Sequence, residues 1–66
     1  MKVIFLIKSI RTQKHINLKK LAQISGVSKT HINDIENNLK IPGITIVILI
    51  AKSLNVKTEE LYKIEW

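Results

Sequence analysis

The residue types that could do chemistry in this chain are hydrogen-bonding ones, gathered between Ser28 and Asn38. Lys29, Thr30, Asn33, Asp34 and Asn37 surround two isoleucines, Ile32 and Ile35. At about 100° per helical residue, Thr30, Asn33, Asp34 and Asn37 fall within roughly 50° of the direction opposite those isoleucines. One stripe would pack inward while the other presents donors and acceptors. Such a face suits base edges: Asn pairs bidentately with adenine, Lys with guanine O6/N7, and a carboxylate with the cytosine amino group. It also describes an ordinary solvated helix face, so it needs support from the rest of the sequence. Catalysis finds no such support. His15 and His31 are the only histidines. They lack metal-ligand spacing, and no serine or carboxylate stands beside them as a triad requires. There is no cysteine, hence no disulfide and no thiolate-bound metal. The sequence reads as a binding protein rather than an enzyme, with no cofactor, no metal site and no legible pocket for a small-molecule effector.

The elements that must position this face follow from local punctuation. Asn17 is a good N-cap, because its side-chain oxygen accepts from the free N–H groups of the next turn. Leu18, Leu21, Ala22 and Ser25 then recur on one face. Gly26 ends that helix, since a residue without Cβ adopts the left-handed conformation most cheaply. Ser28 caps a second helix over Lys29–Asn37, closed by Asn37-Asn38. Helix, short turn with glycine, helix is the helix-turn-helix arrangement, here about 18–37. For the two helices to pack, Leu21, Ala22 and Ile24 should meet Val27, Ile32 and Ile35. Upstream, Val3, Ile7 and Ile10 predict a helix over about 3–14, although Lys2–Leu6 also reads as a short strand. Downstream, Pro42 precedes a helix over about 44–54 stopped by Asn55, and a last helix is expected over about 58–64. Glu59 and Glu60 sit in its first turn, where the helix dipole favours them. Five short helices in 66 residues predict a single all-α domain, 1–66.

Charge points the same way. The formal net charge is +6, with ten Lys or Arg against only Asp34 and Glu36 over residues 1–57. A basic body suits a polyanionic partner. Ile44–Ala51, broken only by Thr45, is far below the roughly 20 residues needed to span a bilayer. No secretory signal follows Val3–Ile7. A soluble cytoplasmic protein without a membrane partner is expected.

The whole pattern resembles the Cro/repressor-type (XRE) helix-turn-helix family. The matching residues are Ile7, Ile10-Arg11, Leu21-Ala22, Gly26-Val27-Ser28, Ile32, Ile35-Glu36, Pro42, Ile50-Ala51, Leu54-Asn55-Val56 and Leu61. The resemblance implies a lambda-repressor-like five-helix bundle and sequence-specific binding of double-stranded DNA in the major groove. It implies that Arg11 and Glu36 form an ion pair joining the first helix to the end of the recognition helix. Ser28, Lys29, Thr30, Asn33 and Asp34 would touch bases, while Asn17, Lys19, Asn37 and Lys40 would touch phosphates. Two departures bear on affinity and target: Leu18 stands where the family usually places a phosphate-gripping Gln, and Asp34 is unusual in a groove lined by phosphates.

The resemblance also implies a homodimer on a palindromic operator, as a transcriptional regulator and most often a repressor. The residues supply a surface for it. The helix over 44–54 carries Ile44, Ile46, Val47, Ile48, Leu49 and Ile50, apolar on more than one face. Ile46 and Leu49, with Tyr62 and Trp66, are the candidate interface, unless Tyr62, Ile64 and Trp66 close over the excess from within the chain. The same apolar surplus fits a different class of function, a protein-binding module such as an antitoxin-like partner, anti-repressor or adaptor.

Overall fold

The structure, a computed structural model, describes all residues from Met1 to Trp66. A strand, β1 (Lys2–Phe5), leads into helix α1 (Ile7–Gln13). Three helices follow: α2 (Leu18–Ser25), α3 (Lys29–Glu36) and α4 (Ile44–Leu54). A single 3-10 turn (Thr58–Leu61) then delivers strand β2 (Tyr62–Glu65). The two strands pair antiparallel, with Val3 opposite Ile64 and Phe5 opposite Tyr62. No helix is long and apolar enough to cross a membrane.

The core is built from one stripe of each helix. Ile7, Leu21, Ile32, Ile35, Ile50, Leu54 and Leu61 are almost completely buried. Each such aliphatic side chain contributes roughly 1.5–3 kcal/mol of transfer free energy. α2 packs against both α3 and α4, and Ile7 brings α1 to the same centre. Boundaries are set by residues that tolerate positive φ: Gly26 at 75° ends α2 and Asn55 at 57° ends α4. His15 (58°) and Asn38 (61°) also lie in this region. They turn the chain after α1 and α3.

The expected all-α five-helix bundle is corrected at both ends. The first predicted helix begins only at Ile7, because Lys2–Phe5 forms the strand that was the alternative. The last is a single 3-10 turn followed by a strand, not a helix to Ile64. A four-residue segment cannot repay the cost of nucleating an α-helix. Tyr62 and Ile64 instead find Phe5 and Val3, and aromatic and β-branched side chains fit a pleated surface well. Phe5 and Tyr62 meet edge to face, with centroids 6.3 Å apart. Leu6 N–H donates to Leu61 O at 2.6 Å, continuing the ladder.

Candidate nucleic-acid interface

The α2–turn–α3 unit is fixed by local hydrogen bonds at each of its corners. The Lys20 N–H donates to Asn17 Oδ1 at 2.7 Å, capping α2. Gly26 N–H donates to Ala22 O at 3.0 Å. A Cβ at Gly26 would meet nothing within 4 Å, so the backbone conformation, and not crowding, calls for glycine. Buried Ser25 adds a contact that sequence reasoning missed: its Oγ accepts from Val27 N–H at 3.1 Å, inside the turn. His31 N–H donates to Ser28 Oγ at 3.1 Å, which caps α3.

α3 is thereby presented with Ile32 and Ile35 fully buried, while Lys29, Thr30 and Asn33 are exposed. Ser28 lies at its N-terminal boundary and Asn37 at its C-terminal boundary, both exposed. Lys19, in the first turn of α2, is exposed as well. Ser28, Lys29, Thr30 and Asn33 are therefore all accessible to solvent, as are Asn17, Lys19, Asn37 and Lys40 on loops and helix ends. Asp34 differs from its neighbours. It is half-buried, and Lys40 Nζ lies 3.6 Å from its Oδ2. Lys40 reaches back from the loop after α3, a pairing that spacing alone did not reveal. His31 is half-buried on the flank of α3, and its Nε2 has no hydrogen-bond partner.

Arg11 and Glu36 lock this helix to α1. Arg11 Nε donates to Glu36 Oε2 at 2.6 Å and Nη2 to Oε1 at 3.0 Å. The two parallel bonds form the fork that favours Arg over Lys. Arg11 Nη1 also donates to Ile16 O at 3.4 Å, tying in the α1–α2 turn. The hydrogen bond to Glu36 holds the Arg11 guanidinium above its ordinary pKa; burial opposes this and the carboxylate charge adds to it.

One packing expectation fails. Ile24 is half exposed instead of packing on α3. At about 100° per residue it lies roughly 100° from the centre of the face made by Leu18, Leu21, Ala22 and Ser25. On α4, Val47, Ile50, Ala51 and Leu54 point inward. At about 100° per residue Ile44 and Ile48 lie to one side of this face and Leu49 nearly opposite it, all exposed, while half-buried Ile46 packs against the core. Tyr62 is half-buried against Phe5, whereas Trp66 is 93% exposed. Of the four candidate interface residues, Leu49 and Trp66 are thus exposed, and Ile46 and Tyr62 half-buried.

Comparison with known proteins adds independent findings. The helix-turn-helix family pattern matches residues 7–61. An uncharacterized HTH-type transcriptional regulator of Mycobacterium tuberculosis, in two strains, is 38% identical over 56 residues, 85% of this chain. The chain spans about two fifths of the length of these relatives, 40%. The ImmF control region 10 kDa protein of Bacillus phage phi105 is 38% identical over 65 residues, covering 91% of this chain and 72% of that one. Among solved structures, the restriction-modification controller protein C.AhdI from Aeromonas hydrophila superposes with a TM-score of 0.80 at 20% identity, over 82% of each chain. That likeness is one of fold.

Proposed function

The chain belongs to the helix-turn-helix family of Cro/repressor (XRE) type, and from that premise we propose that it binds double-stranded DNA as a dimeric transcriptional regulator. The observation that carries the reading is the outward, uncovered face of α3, where Lys29, Thr30 and Asn33 stand exposed beside a capped N-terminus. The N-terminal part of such a helix contacts base edges, while flanking groups hold the backbone.

In this mechanism Lys8, Lys14, Lys19, Lys20, Lys29 and Lys40 supply attraction that does not depend on sequence. Asn33 pairs with adenine and Lys29 with guanine, each discriminating by roughly 1–3 kcal/mol. Ser28 and Thr30 adjust to neighbouring bases. Asp34, held by Lys40, accepts from a cytosine amino group or repels a wrongly placed acceptor. Asn17, Lys19, Asn37 and Lys40 hold phosphates. Two copies, related by a twofold axis, read a palindrome whose half-sites lie about 34 Å apart. Occupying such an operator in the cytoplasm would block transcription, so the regulator is proposed as a repressor that binds and does not catalyse.

The test is fluorescence anisotropy with mixed-sequence duplex DNA over a range of salt. Binding at low salt is expected, with log K falling against log salt by about −2 or more per protomer from Lys19 and Lys40 alone. Absence of duplex binding at low salt would overturn the proposal. It would favour the protein-binding module, for which the exposed Ile44, Ile48 and Leu49 provide a surface.

A further inference from the structure

β1 brings a lysine to the edge of the reading surface from the far end of the sequence. Its residues Lys2, Val3 and Phe5 form one side of a groove of about 200 Å³, and Asn38, Lys40 and Ile41, from the segment after α3, form the other. Pairing with β2 holds β1 in that place. The groove borders α3: Lys40 Nζ lies 3.6 Å from Asp34 Oδ2, so the groove is about one lysine side chain away from the helix that carries Thr30 and Asn33. In a duplex the sugar–phosphate backbone runs along both rims of the major groove, which is about 12 Å wide. With α3 in that groove, a site at this distance from the helix lies on a rim.

The chemistry of the groove fits that polymer. Lys2 is exposed and in no ion pair. Lys40 is exposed too, and Asn38 adds a side-chain amide. Val3, Phe5 and Ile41 supply apolar surface, and Ile41 is 92% exposed. No carboxylate lines the groove. Glu65 stands opposite Lys2 in the ladder but pairs with Lys63 at 3.9 Å. Two ammonium groups and an amide suit phosphate oxygens, and apolar side chains suit the deoxyribose between phosphates. The volume is below the roughly 300–1,000 Å³ of pockets that enclose small molecules, which favours a strand running past over a ligand taken in.

We infer that this groove seats the sugar–phosphate backbone of a bound duplex, with Lys2 on one wall and Lys40 on the other. The inference rests on the DNA-binding reading above and widens the interface from the helix-turn-helix unit to the N-terminal strand. Lys2 carries no sequence information in this role; it fixes how α3 is seated along the groove.

Anisotropy titrations of Lys2→Ala over a range of salt test this, with Lys52→Ala as the reference. Lys52 lies near the end of α4, about 12 Å along the helix from Ile44, and its loss changes the net charge equally. Lys2→Ala is expected to make the slope of log K against log salt shallower by about 0.9, a loss of about five- to tenfold in affinity at 0.1 M salt. Lys52→Ala is expected to leave the slope unchanged, and Lys2→Arg to keep the wild-type value. On a duplex scanned with uncharged methylphosphonates, one position should weaken binding by the wild type and leave binding by Lys2→Ala unaffected. Inorganic phosphate at millimolar concentration and constant ionic strength should not compete. Absence of duplex binding by the wild type at low salt would remove the DNA-binding reading itself. Duplex binding that Lys2→Ala and Lys52→Ala weaken equally, or a scan in which Lys2→Ala silences no position, overturns the backbone seat alone. Competition by inorganic phosphate that Lys2→Ala abolishes also overturns it, by marking the groove as a pocket for a free anion.

Discussion

Replacing Arg11 by Ala should cost this domain a large share of its stability, for a reason visible in the burial of its partner. The Glu36 side chain is only 3% exposed and Arg11 14%. Removing one member of a buried pair costs about 3–5 kcal/mol, because the other charge is stranded away from water. Arg11 sits nearer the surface than Glu36, so water reaches part of the gap and the lower end applies, about 3 kcal/mol. A domain of this length has a total stability of only about 3–10 kcal/mol. The melting temperature should fall by about 10–20 °C. Glu36→Ala should cost less, since the guanidinium left behind reaches solvent more easily than the carboxylate would. Replacing both residues by Ala should cost clearly less than the two single costs added together, leaving an interaction energy of about 1–3 kcal/mol in the double-mutant cycle. Thermal unfolding followed by circular dichroism, with matched urea titrations, gives all three values. The sign with pH is also set. Because the Arg11 pKa is raised in the folded chain, its contribution is complete below the unfolded value and lost only as pH rises through the higher folded value. Alkaline shifts within the ordinary working range should leave it intact. Costs below about 1 kcal/mol for Arg11→Ala, or simple additivity in the cycle, would refute the reasoning and mark the pair as a surface contact.

Other outcomes follow from the same geometry. Gly26→Ala meets no steric obstacle but must hold φ near 75°, so it should lose about 1–2 kcal/mol in urea unfolding. Ser28→Ala removes the cap on α3 and should lose about 1 kcal/mol in the same assay. Lys40→Ala should lower affinity for all duplexes alike and make the salt slope shallower by about 0.9. Asp34→Asn should strengthen binding to mixed-sequence duplex, since one negative charge leaves the face and Lys40 is freed; anisotropy titrations read both, and weaker binding by Asp34→Asn would show that the carboxylate itself contacts DNA productively.

The parts of the fold that were legible in the sequence are those decided within a few residues. Asn17, Gly26 and Ser28 mark the ends of α2 and α3 because each acts on backbone groups one turn away. Asn55 stops α4 for the same reason. Lys2–Leu6 was legible as a possible strand, but β2 and its pairing with β1 were not, because Phe5 and Tyr62 are neighbours only after the whole chain has folded. Nothing local distinguishes Thr58–Ile64 from the start of a helix, and its acidic first turn suits either outcome. Ile24 illustrates a different failure: apolar character suggested burial, but its angle on α2 places it on the flank. At the candidate site, the direction of Thr30 and Asn33 was readable from helical periodicity. The Asp34–Lys40 pair and the Ser25 contact were not, since both depend on where a loop or turn doubles back.

Selection of bound duplexes from a random pool, run with the wild type and with Thr30→Ala/Asn33→Ala, tests the claim that α3 is the reading helix most directly. The wild type should enrich one motif with inverted symmetry. The double variant should lose that preference while keeping weak, salt-sensitive binding. Enrichment of the same motif to the same degree by both proteins would contradict the account, because the sequence would then be read by a surface other than the outer face of α3.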